Sequence, residues 1–247
     1  MTRTVIELAS LLPTAHPLTV LPRVRRALVI APHPDDETLG CGGTLARLTD
    51  AGTEVTLVLV TDGEATRGAA RPPVATGRAR LGEARRAGDH LGIASVVSLA
   101  LPDGAVSHHL EALAAALIEV ADLVRPGLVL LPWPSDDHPD HRAVATALAR
   151  RPLSARPELW GYEVHTPILR PDRVIDVTEV TGRVDAAVAE HVSAAAAFDL
   201  SAVRGLQRYR SLATAAGSGH AEAFVTLRWG DLASWVDAGR GFGATTG

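Results

Sequence analysis

The sequence predicts an α/β fold: a Rossmann-like three-layer sandwich with a mostly parallel sheet, extended at its C-terminal end by extra strands and helices. Three observations predict it. Short apolar, β-branched runs such as ALVIA and EVTLVLVT alternate with Ala/Leu-rich stretches of helical spacing. That alternation is the pattern of strands covered on both faces by crossover helices. Turn signals at Gly52, Gly92 and Pro126-Gly127 separate the runs. Right-handed crossovers then bring the ends of successive strands to one sheet edge. The four segments that follow the first four strands carry HPDDE, TDGE, LPDG and DDHPDH.

Taken in order, residues 1–24 read as a lead-in with a short helix near Val5 to Leu12. Arg26 to Ala31 is the first strand. Leu39 to Ala51 is the first helix, stopped by Gly52. Glu54 to Thr61 is the second strand, and Asp62-Gly63-Glu64 turns off its end. Ala65 to Gly77 is rich in Gly, Pro, Arg and Ala without a period, and reads as a loop. Arg78 to Leu91 is a helix closed by Gly92, Ser95 to Leu101 the third strand, and Ser107 to Val124 a helix stopped by Pro126-Gly127. Leu128 to Leu131 is the fourth strand and Asp140 to Arg150 a helix. Beyond Arg151 the alternation loosens. Glu158 to His165 and Arg173 to Val177 read as strands whose pairing could be antiparallel; Thr181 to Phe198 and Ala202 to Ala216 read as helices. Ala221 to Trp229 fits either type, and the tail after Gly239 reads as frayed. No linker interrupts the chain. One domain over 1–247 is expected, with a core near 25–167 and an elaboration over 168–247.

Composition narrows the function. The chain is 47% hydrophobic and 21% charged, with a net charge of -4, which gives no electrostatic reason for a nucleic-acid partner. The first residues lack a continuous apolar run, so no signal peptide is expected, and no window suggests a membrane span. The single cysteine, Cys41, permits no intrachain disulfide and fits a cytoplasmic location.

The chemistry concentrates in two loops. Pro34 restricts His33 to extended geometry, and Asp36 follows three residues later. With His141 they form a two-histidine, one-carboxylate set, which suits Zn2+ with a position left for water and also suits Fe2+. Asp35, between the two ligands, can face the water as general base. His138 can stabilise an oxyanion and protonate a leaving nitrogen, with Asp140 hydrogen-bonded to it and raising its pKa. Each loop alone could be no more than a capped helix start. Gly40, Gly42 and Gly43 could form a phosphate loop, although their spacing is not G-x-G-x-x-G.

With APHPDDETLGCGG and HPDH both present, the chain resembles the LmbE-like, or PIG-L, family of zinc-dependent N-deacetylases from about Arg25 to Pro167, with an echo at GHAEAF (Gly219 to Phe224). The resemblance implies a Rossmann-like fold and hydrolysis of an N-acyl, mostly N-acetyl, group on an amino sugar or glycoside. It implies His33, Asp36 and His141 as zinc ligands, Asp35 as base, His138 as oxyanion stabiliser and acid, and Asp140 as its orienter. It adds Arg80, in RLGE, and Asp103, in LPDG, as substrate contacts; the alternative for Arg80 is a pair with Glu83. Ser135, Asp136 and Asp137 stand where some sugar deacetylases carry a tyrosine. Together with Asp62, Glu64 and Asp103 these acids predict an acidic mouth and a neutral or amine-bearing substrate.

Overall fold

The computed structural model describes residues 20–195, 199, 201–212 and 217–241. The expected helix near Val5 to Leu12 lies outside them. Seven strands form one sheet in the order β3-β2-β1-β4-β5-β7-β6. They are β1 (Arg26–Ala31), β2 (Glu54–Thr61), β3 (Ser95–Leu101), β4 (Leu128–Pro132), β5 (Glu158–Tyr162), β6 (Arg173–Asp176) and β7 (Ala221–Leu227). The helices are α1 (Asp36–Asp50), α2 (Pro73–Leu91), α3 (Leu110–Val124), α4 (Pro139–Arg150), α5 (Thr181–Glu190), α6 (Val192–Ala195), α7 (Ser201–Ser211) and α8 (Leu232–Gly241).

The alternating side chains of each strand feed two cores. Leu28 and Ile30 of β1 point with Val129 and Leu131 of β4 toward α3, α4 and α8. Val29 and Ala31 point the other way, with Leu57, Leu59 and Leu130, toward α1, α2 and α5. β1 pairs in parallel with β2 on one side and β4 on the other. The chain steps outward from β1 to β3, then returns to β4, so the strand order reverses between β1 and β4. At such a reversal the loops beyond the strand ends splay apart and leave a crevice. The two histidine-bearing loops sit on either side of it. Among the described residues no helix is long and apolar enough to cross a membrane.

The first four strands fall where the sequence puts them, with β4 one residue longer. The helices differ. α1 starts at Asp36, three residues early, because Asp36 and Glu37 form its acidic first turn, a favourable place for negative charge. α2 starts at Pro73, inside the expected loop; proline at a first helical position loses no hydrogen bond. β5 is parallel to β4 and ends at Tyr162, before His165. The antiparallel strand is β7, the segment that fitted either type: it inserts between β5 and β6. The expected helix from Thr181 breaks at His191, and α8 was not anticipated.

α1 is two helical pieces joined at Cys41, whose φ of -149° is not helical. The break frees backbone N–H groups that no earlier turn can satisfy. Glu222 of β7 accepts both, Gly43 N and Thr44 N each at 2.7 Å, and also accepts Gln207 Nε2 at 3.2 Å. Burial pushes the Glu222 carboxyl up to about 7 despite these donors. Gly40 and Gly43 are close-approach positions. A Cβ on Gly40 would overlap the Tyr162 ring and lie 2.9 Å from the Glu163 carbonyl; one on Gly43 would lie 2.5 Å from Val177 Cβ.

Candidate metal centre and active site

The turn after β1 is closed by its own backbone. Asp35 N and Asp36 N both donate to the His33 carbonyl, and His33 N donates to Asp36 Oδ2 at 2.8 Å. That same Asp36 oxygen lies 3.2 Å from His33 Nδ1 and 3.2 Å from His141 Nε2. The loop after β4 enters α4 through His138, the N-cap, and Pro139, so Asp140 and His141 occupy the first turn. The sequence-expected ligands His33, Asp36 and His141 therefore converge, from two loops on either side of the crevice, on one carboxylate oxygen.

The donor set fits a cation. His141 is fully buried, yet neither ring nitrogen makes a well-formed hydrogen bond. Nε2 faces Asp36, and Nδ1 lies 3.3 Å from Asp136 Oδ1. His33 Nε2 lies 3.1 Å from Asp103 Oδ1 and 3.3 Å from Asp140 Oδ2. Burial opposes charge on His33, but its hydrogen bonds to the carboxylates of Asp103, Asp140 and Asp36 outweigh it and raise its pKa well above the ordinary value. Burial likewise opposes charge on His141, and Asp36 and Asp136 lift it to about 9. Burial would raise Asp36, but His141 and His33 hold it well below the usual carboxylate range. Four carboxylates thus demand positive charge at two imidazoles. Protons and a metal ion compete for the same lone pairs, so a divalent cation can satisfy that demand instead. One ligand atom each of His33, His138 and His141 lie within 4.8 Å of one another, as do those of Asp36, His141 and His165. The site is a buried His/Asp cluster able to hold a metal.

Asp35 stands beside the cluster and lines, with His33, His138, His165, Asp103 and Arg67, a cavity of about 450 Å³. The structure bears on three expectations. Arg80, read as a substrate contact, is buried on the wall of this cavity: Nη2 donates to Asp35 Oδ2 at 3.0 Å and to the Pro34 carbonyl, and Nη1 to the Gly63 carbonyl. It does not pair with Glu83, which accepts from Ser193. The early start of α2 is what aims Arg80 at the β1 loop.

Asp140 does not turn its carboxylate to His138. It accepts from Gly104 N at 2.7 Å and Val106 N at 3.1 Å and faces His33; the contact to His138 runs from the Asp140 backbone N–H to His138 Nδ1, at 3.2 Å. That donor leaves His138 with its proton on Nε2, a tautomer assigned from the hydrogen bond. Burial, then the charges of His33 and His141, push the His138 pKa down to about 4, opposite to the expected rise.

Of the acids expected at the mouth, Asp136 is fully buried, Asp137 is exposed, Asp62 accepts from Ser98 Oγ, and Glu64 accepts from Asp103 N. Asp103 does line the cavity, as expected, with Oδ2 accepting from Ala65 N; each oxygen keeps a lone pair for a further donor.

Three contributors escaped the sequence reading. Asp136 faces His141 and accepts from the backbone of His138, His165 and Thr166. Its signal was the doubled acid before HPDH. His165, in the loop after β5, packs its ring 5.5 Å from that of His138 and 5.0 Å from that of His141. Reading β5 as parallel would have put it on the site edge. Glu37 is fully buried: it accepts from Thr38 Oγ1, which also meets His191 Nε2 at 3.0 Å, and burial pushes its carboxyl up to about 8. Its signal was its place in HPDDE.

Fold and site together define an α/β protein of mostly parallel sheet with a candidate metal centre at the sheet's reversal point. The profile of the PIG-L family, described as GlcNAc-PI de-N-acetylase, matches residues 28–151, half of the sequence, and the chain belongs to that family. It is 38% identical over 124 residues to a diacetylchitobiose deacetylase of Thermococcus kodakarensis, covering 48% of this chain and 46% of that protein. It is 31% identical over 170 residues to a probable N-acetyl-alpha-D-glucosaminyl L-malate deacetylase 2 of Bacillus cereus, covering 63% and 77%. The match thus spans about half the length of the archaeal relative. Among solved structures, the N,N'-diacetylchitobiose deacetylase of Pyrococcus horikoshii superposes with a TM-score of 0.71 at 22% identity, over 85% of this chain and 86% of that one, which establishes the shared fold.

Proposed function

We propose that the protein is a zinc-dependent N-deacetylase that hydrolyses the acetamide of an N-acetylated amino sugar or glycoside. The observation that carries this is the convergence of His33 Nδ1 and His141 Nε2 on Asp36 Oδ2, with the Asp35 carboxylate beside them on the cavity wall. The family membership and the deacetylase relatives support it. His33, Asp36 and His141 would hold the ion; the same donor set also suits Fe2+. Zinc in such a site supplies Lewis acidity and a water acidified to a pKa of ~7.

The chain's own residues do the rest. Asp35, held by Arg80, accepts a proton from the water that attacks the acetamide carbon. His138, neutral with its proton on Nε2, donates a hydrogen bond to the carbonyl oxygen as it gains negative charge. The C–N bond breaks, the proton held by Asp35 passes to the leaving nitrogen, and acetate and an amine result. Asp103 offers acceptor lone pairs to sugar hydroxyls.

The test pairs two variants. Metal content and acetate release from N,N'-diacetylchitobiose and other N-acetylglucosaminides are measured for wild type, Asp35→Ala and His141→Ala. Asp35→Ala should keep its metal and lose about 10²–10⁴-fold in turnover; His141→Ala should lose both. Undiminished turnover in Asp35→Ala sinks the mechanism. A fully metallated wild type that cleaves no acetamide would favour a metal-keeping binding module.

A further inference from the structure

His33 has two ring nitrogens, and only one of them faces Asp36. Nδ1 lies 3.2 Å from Asp36 Oδ2, the oxygen that His141 Nε2 also meets. Nε2, on the other side of the ring, lies in a bracket of two carboxylates, with Asp103 Oδ1 at 3.1 Å and Asp140 Oδ2 at 3.3 Å. We propose that Asp103 and Asp140 are a positioning pair for His33: they hold its proton on Nε2, which leaves the Nδ1 lone pair for the metal. This rests on reading the cluster as a metal site, and it gives Asp103 a task besides the sugar contact.

The bracket is built from three loops. His33 follows β1, Asp103 follows β3 and Asp140 sits in the first turn of α4, yet one ligand atom of each lies within 4.8 Å of the others. Asp140 accepts Gly104 N at 2.7 Å on Oδ2 and Val106 N at 3.1 Å on Oδ1, so its carboxylate holds the turn that carries Asp103. Asp103 is fixed from its other side as well. Its Oδ2 accepts Ala65 N at 2.9 Å, and its own N–H donates to Glu64 Oε1 at 2.9 Å. The Asp140 side chain is fully buried, and those of His33 and Asp103 are each 10% exposed, so little water competes for Nε2.

A neutral imidazole carries one proton, and the nitrogen that holds it cannot coordinate. Two carboxylates at Nε2 favour the N–H there, a tautomer assigned from its surroundings. Carboxylates behind a ligand histidine fix the ring and make its free nitrogen more basic. Asp36 and His141 then meet the lone pair of Nδ1 rather than its proton.

The test reads the metal and the proton, not turnover. Zinc affinity by chelator competition, and nitrogen NMR of the zinc-loaded protein isotope-labelled at histidine, are compared for wild type, Asp103→Ala and Asp103→Asn. In wild type His33 should carry its proton on Nε2. Asp103→Ala should bind zinc about tenfold or more weakly, and its His33 N–H should exchange faster with solvent. Asp103→Asn, whose side-chain carbonyl can still accept, should recover part of both. Zinc affinity and proton exchange unchanged in Asp103→Ala overturn the proposal and leave Asp103 a sugar contact alone. The wild-type spectrum decides even where a variant fails to fold, because a proton on Nδ1 of the zinc-loaded His33 also overturns it. A wild type that takes up no zinc removes the metal reading itself, a failure visible before any variant is made.

Discussion

Residues 26–150 and residues 151–241 build the site in different ways. Every metal-seeking or acid-base side chain that the motifs suggested comes from the first region: His33, Asp35 and Asp36 after β1, Asp103 after β3, and His138, Asp140 and His141 around the start of α4. The second region sends supports. Glu222 closes the break in α1 from 179 residues away, His191 reaches Thr38 across 153, and the β5 loop hangs on Asp136. The cluster side chains lie in short local motifs, whereas their orientation is set by distant chain. Metal sites depend on both, because outer partners fix the ring and carboxylate geometry of the ligands.

That division can be attacked at its seam. The largest effect is expected from Asp136→Ala, which cuts the tie between the regions. It leaves the part-buried amides of His138, His165 and Thr166 without their acceptor. Metal affinity should fall about 10–100-fold and stability by about 3 kcal/mol or more, read by chelator competition and urea unfolding. A loss confined to stability, with metal affinity intact, would break the link drawn between the regions.

Next comes Gly40→Ala, which drives a methyl into Tyr162 and the Glu163 carbonyl. It should cost about 3 kcal/mol, while Gly42→Ala, whose Cβ would meet Leu91 at an ordinary 3.6 Å, should cost nothing measurable. Equal melting temperatures for the two variants would refute the close-approach role.

The smallest effect sharpens the role of Glu222. Its folded pKa of about 7 lies above the ordinary 4.5, so the folded state holds this proton more tightly than the unfolded one. Its contribution is therefore most favourable below pH 4.5 and is lost as pH rises to about 7, then stays level. Against Glu222→Gln, the wild-type melting temperature should fall by roughly 5 °C across that window. A pH-independent difference would show that Glu222 is ionised throughout.

The sequence made the first region legible for a physical reason. Strands buried on both faces write themselves as apolar runs, so β1, β2 and β3 were bounded to the residue, and the ligand motifs lie next to them. The supports were hidden because their partners are set by packing between loops. Asp140 meets Gly104 and Val106 only because the turn after β3 folds over α4's first turn. Arg80 meets Asp35 only because α2 begins at Pro73. β7 reads as neither type alone because its side chains answer to β5 and β6 rather than to a period of their own.

The placement of β7 also orders events in time. Among the described residues β6 hydrogen-bonds to β7 and to no other strand, so when synthesis has reached residue 195 the outer edge of β5 still lacks its neighbour and β6 has no sheet to join. Open strand edges invite wrong pairings, and distant contacts form slowly. Both histidine-bearing loops leave the ribosome well before residue 222, the carboxylate that finishes the helix beginning at Asp36. The nascent chain thus carries the cluster side chains early and acquires their rigid setting almost last, which makes the arrival of β7 the moment at which the loop after β1 is locked.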